Sequence, residues 1–324
     1  MPRFIRSIAI AATLSLAASS AFAQGKKPDV RIATGTPGGA YYAMGAVLAD
    51  VLTRSGKVNT ATAEASSGAI ESSRLLMSGE ITIGGMDANW VVAGIKGEAP
   101  FKEKINLVTV APIGVWGMFF IALEGSDLKS LEQLKGKRIA VGAKGSGMEA
   151  HARQMLGSIG WTFDDIRPVY QAFGPGAASV REGKADAQLQ CCIPNAGLTE
   201  LTELSRTRVI ATPPDMLNKI VGTSGVYAPG MLKKGAIKGH DADLPVIDIL
   251  NGWIGLPTLP EETAYIIAKS MIENIDSMAE KSPQYVSVRE LFEKAKTQGS
   301  KVLEMGGPLH PGSLRAFKEA GIVK

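Results

Sequence analysis

Between residues 30 and 190 the hydrophobic positions switch repeatedly between two periods. "VRIATG" (30–35) is apolar at alternate sites, the pattern of a half-buried strand. After the turn "TPGG", Met44, Val47, Leu48, Val51 and Leu52 fall at i, i+3, i+4, i+7 and i+8, the stripe of an amphipathic helix. The switch recurs at "KRIAVGA" (137–143), followed by the turn "KGSG" and a stripe of Met148, Ala152, Met155, Leu156 and Ile159. Each unit has a sequel. "TATAEASSGAIESSRLLMSGEITIGGMD" and "IRPVYQAFGPGAASVREGKADAQLQCC" both read as strand, glycine turn, helix, glycine turn, strand. Arg31 to Gly68 spans 37 residues and Arg138 to Gly176 spans 38, so the doubling is in register.

Strand–helix–strand units of this length predict parallel strands with right-handed crossovers. Two such sets predict an α/β fold of two similar lobes, each a mostly parallel sheet flanked by helices, with a cleft between them. In open parallel sheets a ligand sits beyond the carboxyl ends of the strands, where the glycine turns lie. Facing lobes would bring four such turns to one cleft. The long apolar runs "INLVTVAPIGVWGMFFIALEGSDL" and "LPVIDILNGWIGLPTLP" suit the outward and return crossings between lobes. They place lobe 1 at residues 24–114 plus 251–324 and lobe 2 at 115–250. Pro260, Glu261 and Glu262 open a helix with the stripe Ile267, Met271, Ile275 and Met278. Two short helices follow and are expected to pack back on lobe 1.

The first 23 residues stand apart. Arg3 and Arg6 precede an uncharged, mostly apolar run of 11 residues, Ile8 to Ala18, and "AFA" ends at Ala23. This is the plan of a secretory signal peptide cleaved near Ala23. The run is short for a membrane anchor, which needs about 20 residues. The expectation is an exported, periplasmic, monomeric protein. Its 33 basic and 31 acidic residues leave a net charge of +2, too weak to argue for nucleic acid or a membrane surface. Cys191 and Cys192 are the only cysteines. Adjacent Cα atoms stand about 3.8 Å apart, below the usual disulfide span. Two buried free thiols closing a strand are therefore expected, with a vicinal disulfide as the alternative.

The chemistry reads as that of a binder. Glycine turns at helix starts offer backbone N–H groups to carboxylates or phosphates. Neither "GTPGGAY" nor "GAKGSGME" is a nucleotide motif. His151, His240 and His310 lack partners at metal-ligand spacing, and no acid or histidine near Ser146 builds a triad. No catalytic residue, metal or cofactor is expected, and the protein is read as no enzyme. Polar residues at the predicted strand ends are the candidate ligand contacts: Thr34, Thr36, Ser66, Ser67, Asp87, Ser146, Gln171 and Gln190, with Gly39 and Cys191 beside them. The serines and threonines can equally cap helices. Asp87 is most simply the cap of the next helix; the sharper alternative is a counter-ion for a ligand ammonium. Of Tyr41 and Tyr42, one should be core and the other, Tyr42, should reach the cleft. Trp90 and Trp116 are placed near its rim. His151 is read as a packing or surface residue. Arg31 and Arg138 start strands, at the wrong end for the cleft.

"GTPGGAYYAMG", "SSGAIESSRLLMSGE", "LKGKRIAVGAKGSGMEAHARQML" and "PLHPGSLRAFKEAG" together resemble, in order, four blocks of the TAXI family, receptors of one branch of TRAP transporters. The resemblance covers about residues 30 to 324. It departs from the family at Gly68-Ala69-Ile70-Glu71-Ser72, around Tyr227 to Gly230, and at the adjacent cysteines. It implies the two-lobed periplasmic-binding-protein fold of type II, a small carboxylate or amino acid ligand, cleft walls at Thr36, Tyr42, Ser67, Gly68, Ser146 and Gly147, and a sodium-driven permease as membrane partner. A periplasmic sensor docking on a signalling receptor and an exported enzyme on the same scaffold are the competing readings.

Overall fold

The computed structural model describes residues 26–224 and 226–324; the expected signal peptide lies outside them. The first doubled unit forms strand β1 (Asp29–Gly35), helix α1 (Ala40–Arg54), β2 (Thr60–Ala65), α2 (Ala69–Met77), β3 (Ile83–Asp87) and α3 (Ala88–Lys96). β1 pairs in parallel with both β2 and β3. Met44, Leu48, Val51 and Leu52 of the expected α1 stripe are buried. Arg31 opens β1 at the end away from the glycine turns and donates to the Gly79 carbonyl at 2.8 Å.

The second unit repeats the plan with β5 (Arg138–Gly142), α4 (Gly147–Ser158), β6 (Arg167–Tyr170), α5 (Phe173–Arg181) and β7 (Ala187–Gln190). β5 pairs in parallel with β6 and β7. Arg138 is held away from the cleft by Asp186, at 2.6 Å. Then follow α6 (Ala196–Leu204), β8 (Thr207–Ile210), α7 (Pro214–Ser224) and β9 (Tyr227–Leu232).

The two long apolar runs are long strands, β4 (Val108–Leu123) and β10 (Leu244–Gly255), with β4 lying between the first unit and the second in chain order. Val108 to Met118 of β4 pair antiparallel with β10. From Phe119 the same strand pairs with β7, and from Phe120 with β8 as well. β10 in turn pairs antiparallel with β3. The strand path therefore runs β2-β1-β3-β10-β4-β7-β5-β6. Each lobe has three parallel strands, as expected, but the sheet as a whole is mixed. The reason is directional: the chain leaves one lobe and returns to it, so the two crossing strands run opposite ways. Alternation along β4 sends Phe120 into one hydrophobic cluster and Phe119 and Ile121 into another.

Helices α8 (Glu261–Lys281), α9 (Tyr285–Gln298) and α10 (Pro311–Glu319) pack back on the first lobe. Tyr285, fully buried, donates to the Met44 carbonyl of α1 at 2.9 Å. A Cβ on Gly312 would stand 2.0 Å from the Glu261 carbonyl, so α10 can seat on α8 only with glycine there.

Candidate functional site

The glycine turns of both lobes converge, because parallel strands deliver every following helix N-terminus to the same sheet edge. They meet at close range. A Cβ on Gly68 would lie 3.4 Å from the Gly147 backbone nitrogen, and one on Gly39 would lie 3.5 Å from the Phe173 ring. Gly68 has φ +117°, which a side chain would strain. Between these turns lies a cleft with a mouth open to solvent.

Ten of the residues named from sequence line it: Thr34, Thr36, Gly39, Ser67, Gly68, Asp87, Ser146, Gly147, Gln171 and Cys191. Four do not. Tyr42 is exposed and faces a separate groove at the seam with Pro194 and Gln284. Its neighbour Tyr41 takes the cleft place, since the helical turn rotates residue 42 outward; the Tyr41 hydroxyl donates to Asn251 Oδ1 at 2.5 Å. Trp116 is buried behind Tyr41, ring centroids 5.4 Å apart. Ser66 lies one layer back, 3.3 Å from Ser72. Gln190 is fully buried between Gln188 and Asn195, which it holds at 2.8 and 3.2 Å. Trp90 is buried near Gly147 rather than on the rim, with no hydrogen-bond partner for its ring N–H.

Two glutamates tie the turns in the same way in each lobe. Glu71 accepts from the Ser67 N–H at 2.5 Å, and Glu149 accepts from the Gly145 N–H at 2.6 Å. The Ser67 N–H, reinforced by its hydroxyl, holds the Glu71 carboxyl below the usual range. Ser146 caps α4, accepting the Glu149 N–H at 3.3 Å. Helices α1, α2 and α5 begin at the cleft without any side-chain cap.

Asp87 does cap α3, its Oδ1 accepting the Asn89 N–H at 3.1 Å. Its Oδ2 lies 3.0 Å from His151 Nε2, while His151 Nδ1 lies 2.5 Å from the Tyr227 hydroxyl. Tyr227 donates on to Gln154 at 3.0 Å. His151 is thus no plain packing or surface residue. Each Asp87 oxygen thus has a partner within the protein, and the expected helix-cap role is present. Burial, then the Asp87 charge, pushes the Tyr41 and Tyr227 hydroxyls well above their ordinary value.

Cys191 and Cys192 are disulfide-bonded, against the expectation of free thiols. Cys192 adopts φ +62°, the left-handed conformation that lets adjacent side chains meet. Both cysteines line the cleft. Asn195 steadies the loop by donating to the Cys191 carbonyl at 3.0 Å, and Gln284 from the first lobe donates to the Pro194 carbonyl.

Sequence reasoning missed Tyr41, His151, Phe173, Gln188 and Asn251 in the lining. Asn251 carried a signal, a lone amide within the apolar run "DILNGWIG". Phe173 carried none, since an aromatic at a helix start reads as core. Among the described residues no cluster of His, Cys, Asp or Glu could hold a metal ion, and no helix is long and apolar enough to cross a membrane.

The same architecture occurs in solved structures. MatC from Rhodopseudomonas palustris, with bound malate, is 12% identical; the alignment covers 85% of this chain and 98% of that one, with a TM-score of 0.54. A structure described as a periplasmic transporter is 14% identical over 85% of this chain and 95% of its own, TM-score 0.54. A protein from Bordetella bronchiseptica RB50 is 16% identical over 90% and 89%, TM-score 0.51. At such identities the likeness is one of fold. The profile of the NMT1-like family, in contrast, matches the sequence itself from residue 32 to 321. With nearly all of the described residues inside that match, the chain belongs to the NMT1-like family.

Proposed function

We propose that this chain is a periplasmic solute-binding receptor of the TAXI type, which captures a small organic acid or amino acid between its lobes and delivers it to a TRAP-type permease. The observation that carries the reading is the face-to-face approach of Gly68 and Gly147 over a cleft walled by both lobes. A site made this way gains its ligand contacts from two bodies at once, so the ligand favours the closed arrangement. The lobes are residues 24–114 with 251–324, and 115–250, with the crossings in β4 and β10. MatC, with the same fold, holds malate, an organic acid. The blocks that resemble the TAXI family supply the permease assignment. Asp87 and His151 are consumed in a buried network, which supports binding without turnover.

A thermal-shift screen against organic acids and amino acids tests the reading. A ligand at 100 times its dissociation constant stabilises by about 2.7 kcal/mol, and small-angle scattering should then show compaction. A blank screen, or an unchanged radius of gyration at saturation, would count against it. Loss of uptake of that ligand on deleting the gene, or a neighbouring TRAP permease gene, tests the membrane partner.

A further inference from the structure

Resting on that reading, we infer that the cleft selects a monocarboxylate with an apolar body, aliphatic or aromatic, over dicarboxylates and amino acids. The charge of the walls carries the argument. Among the described residues no lysine or arginine lines the cleft. Lys144, the basic residue nearest the second turn, is exposed and lies over the Tyr170 ring instead. A second carboxylate on a ligand would therefore be desolvated without a counter-charge, which is costly. An ammonium fares no better. Asp87 is the one carboxylate in the lining, and the Asn89 N–H and His151 occupy both its oxygens.

One acid group can be held. Ser146 is 5% exposed, lines the cleft, and uses its oxygen to accept from Glu149. Its own O–H has no acceptor among the described residues, so an unpaired donor stands at the start of α4. The uncapped starts of α1, α2 and α5 face the same space. Of the other polar lining residues, Thr34, Gln188 and Asn251 are hydrogen-bonded within the fold, and beside them lies an apolar face. Met148, Leu189, Ile249 and Phe173 contribute hydrocarbon, thioether and ring surface, and the Cys191–Cys192 disulfide presents a face without a hydrogen-bond donor.

Calorimetry on the purified protein with acetate, butyrate, hexanoate, phenylacetate, malate and glutamate tests this. Each methylene added to the straight-chain acids should tighten binding about fourfold until the cleft is filled. Phenylacetate should bind at least tenfold more tightly than malate or glutamate. Met148→Gln keeps the side-chain length and should weaken phenylacetate at least tenfold; circular dichroism checks its fold, and Ile249→Thr is the second variant. Tighter binding of malate or glutamate overturns the inference and leaves the receptor reading standing. An affinity that does not grow with chain length overturns it too. If none of the six acids binds, the inference fails, and the receptor reading falls with it only when the wider screen is also blank.

Discussion

Asp87 and His151 meet across the lobe boundary: Oδ2 of Asp87, at the end of β3, lies 3.0 Å from Nε2 of His151 on α4. Both side chains are almost wholly buried, at 7% and 2% exposure. Asn89 and Gln154 repeat the crossing at 3.1 Å. In this arrangement of the lobes the pair is shielded from water.

Removing one partner from a buried pair leaves the other without compensation, at a cost of about 3–5 kcal/mol. His151→Leu should lower the unfolding free energy by that amount in urea denaturation. The double variant Asp87→Asn/His151→Leu should lose less than the sum of the single variants, because no buried charge remains. Additive losses would show that the two residues are energetically independent.

Ser146→Ala keeps the turn but removes the unpaired donor. Affinity for the best acid should fall roughly tenfold, about 1.4 kcal/mol. Stability should fall by about 1 kcal/mol as α4 loses its cap. Gly147→Val should weaken binding far more, since a Cβ there already lies 3.3 Å from Trp90 Nε1 and 3.8 Å from Ala69 of the first lobe. Calorimetry with circular dichroism as the folding control decides this. Parental affinity in both variants would move the acid group to another wall.

The cysteine pair gives a chemical readout. Protein purified without reductant should resist alkylation at Cys191 and Cys192 and take up two labels after reduction, as read by mass spectrometry. Two labels before reduction would restore the free-thiol reading. Bound ligand should slow reduction, because both residues line the cleft.

His310 sets a pH dependence away from the cleft. Its Nδ1 accepts the Gly312 N–H at 3.2 Å and its Nε2 faces the Leu259 carbonyl at 3.0 Å, so the neutral ring with the proton on Nε2 satisfies both. Burial lowers its pKa below the ordinary 6.5. A depressed value means that the unfolded chain binds the proton more readily, so His310 contributes stability above pH 6.5 that is lost as pH falls toward the folded value. Thermal unfolding between pH 7.5 and 5 should show this loss, and His310→Asn, which keeps a capping oxygen, should flatten it. An equal slope in both proteins would assign the effect elsewhere, His240 being the other histidine lowered by burial.

Much of this architecture was legible in the chain. The doubled strand–turn–helix phrases are local patterns: period 2, a glycine turn and period 3.6 each record one element's burial. Their repetition in register dictated two lobes of one plan, and the two apolar runs marked the crossings later seen as β4 and β10. Strand ends and their turns then pointed to eight of the cleft residues, because in a parallel sheet the end of a strand is a place in space as well as in sequence; the family resemblance added Gly68 and Gly147. Tertiary structure alone decided what no local pattern encodes. The antiparallel pairing of the crossings follows from the return of the chain. The choice of Tyr41 over Tyr42 depends on how α1 is rotated against Trp116 and Asn251. The engagement of Asp87 by His151, 64 residues away, requires the two lobes to meet. The bond between Cys191 and Cys192 depends on a left-handed residue that the sequence, with no glycine there, does not announce. The charge of the cleft was decided the same way: it emerges only when the walls are assembled and no basic side chain among the described residues lies in them.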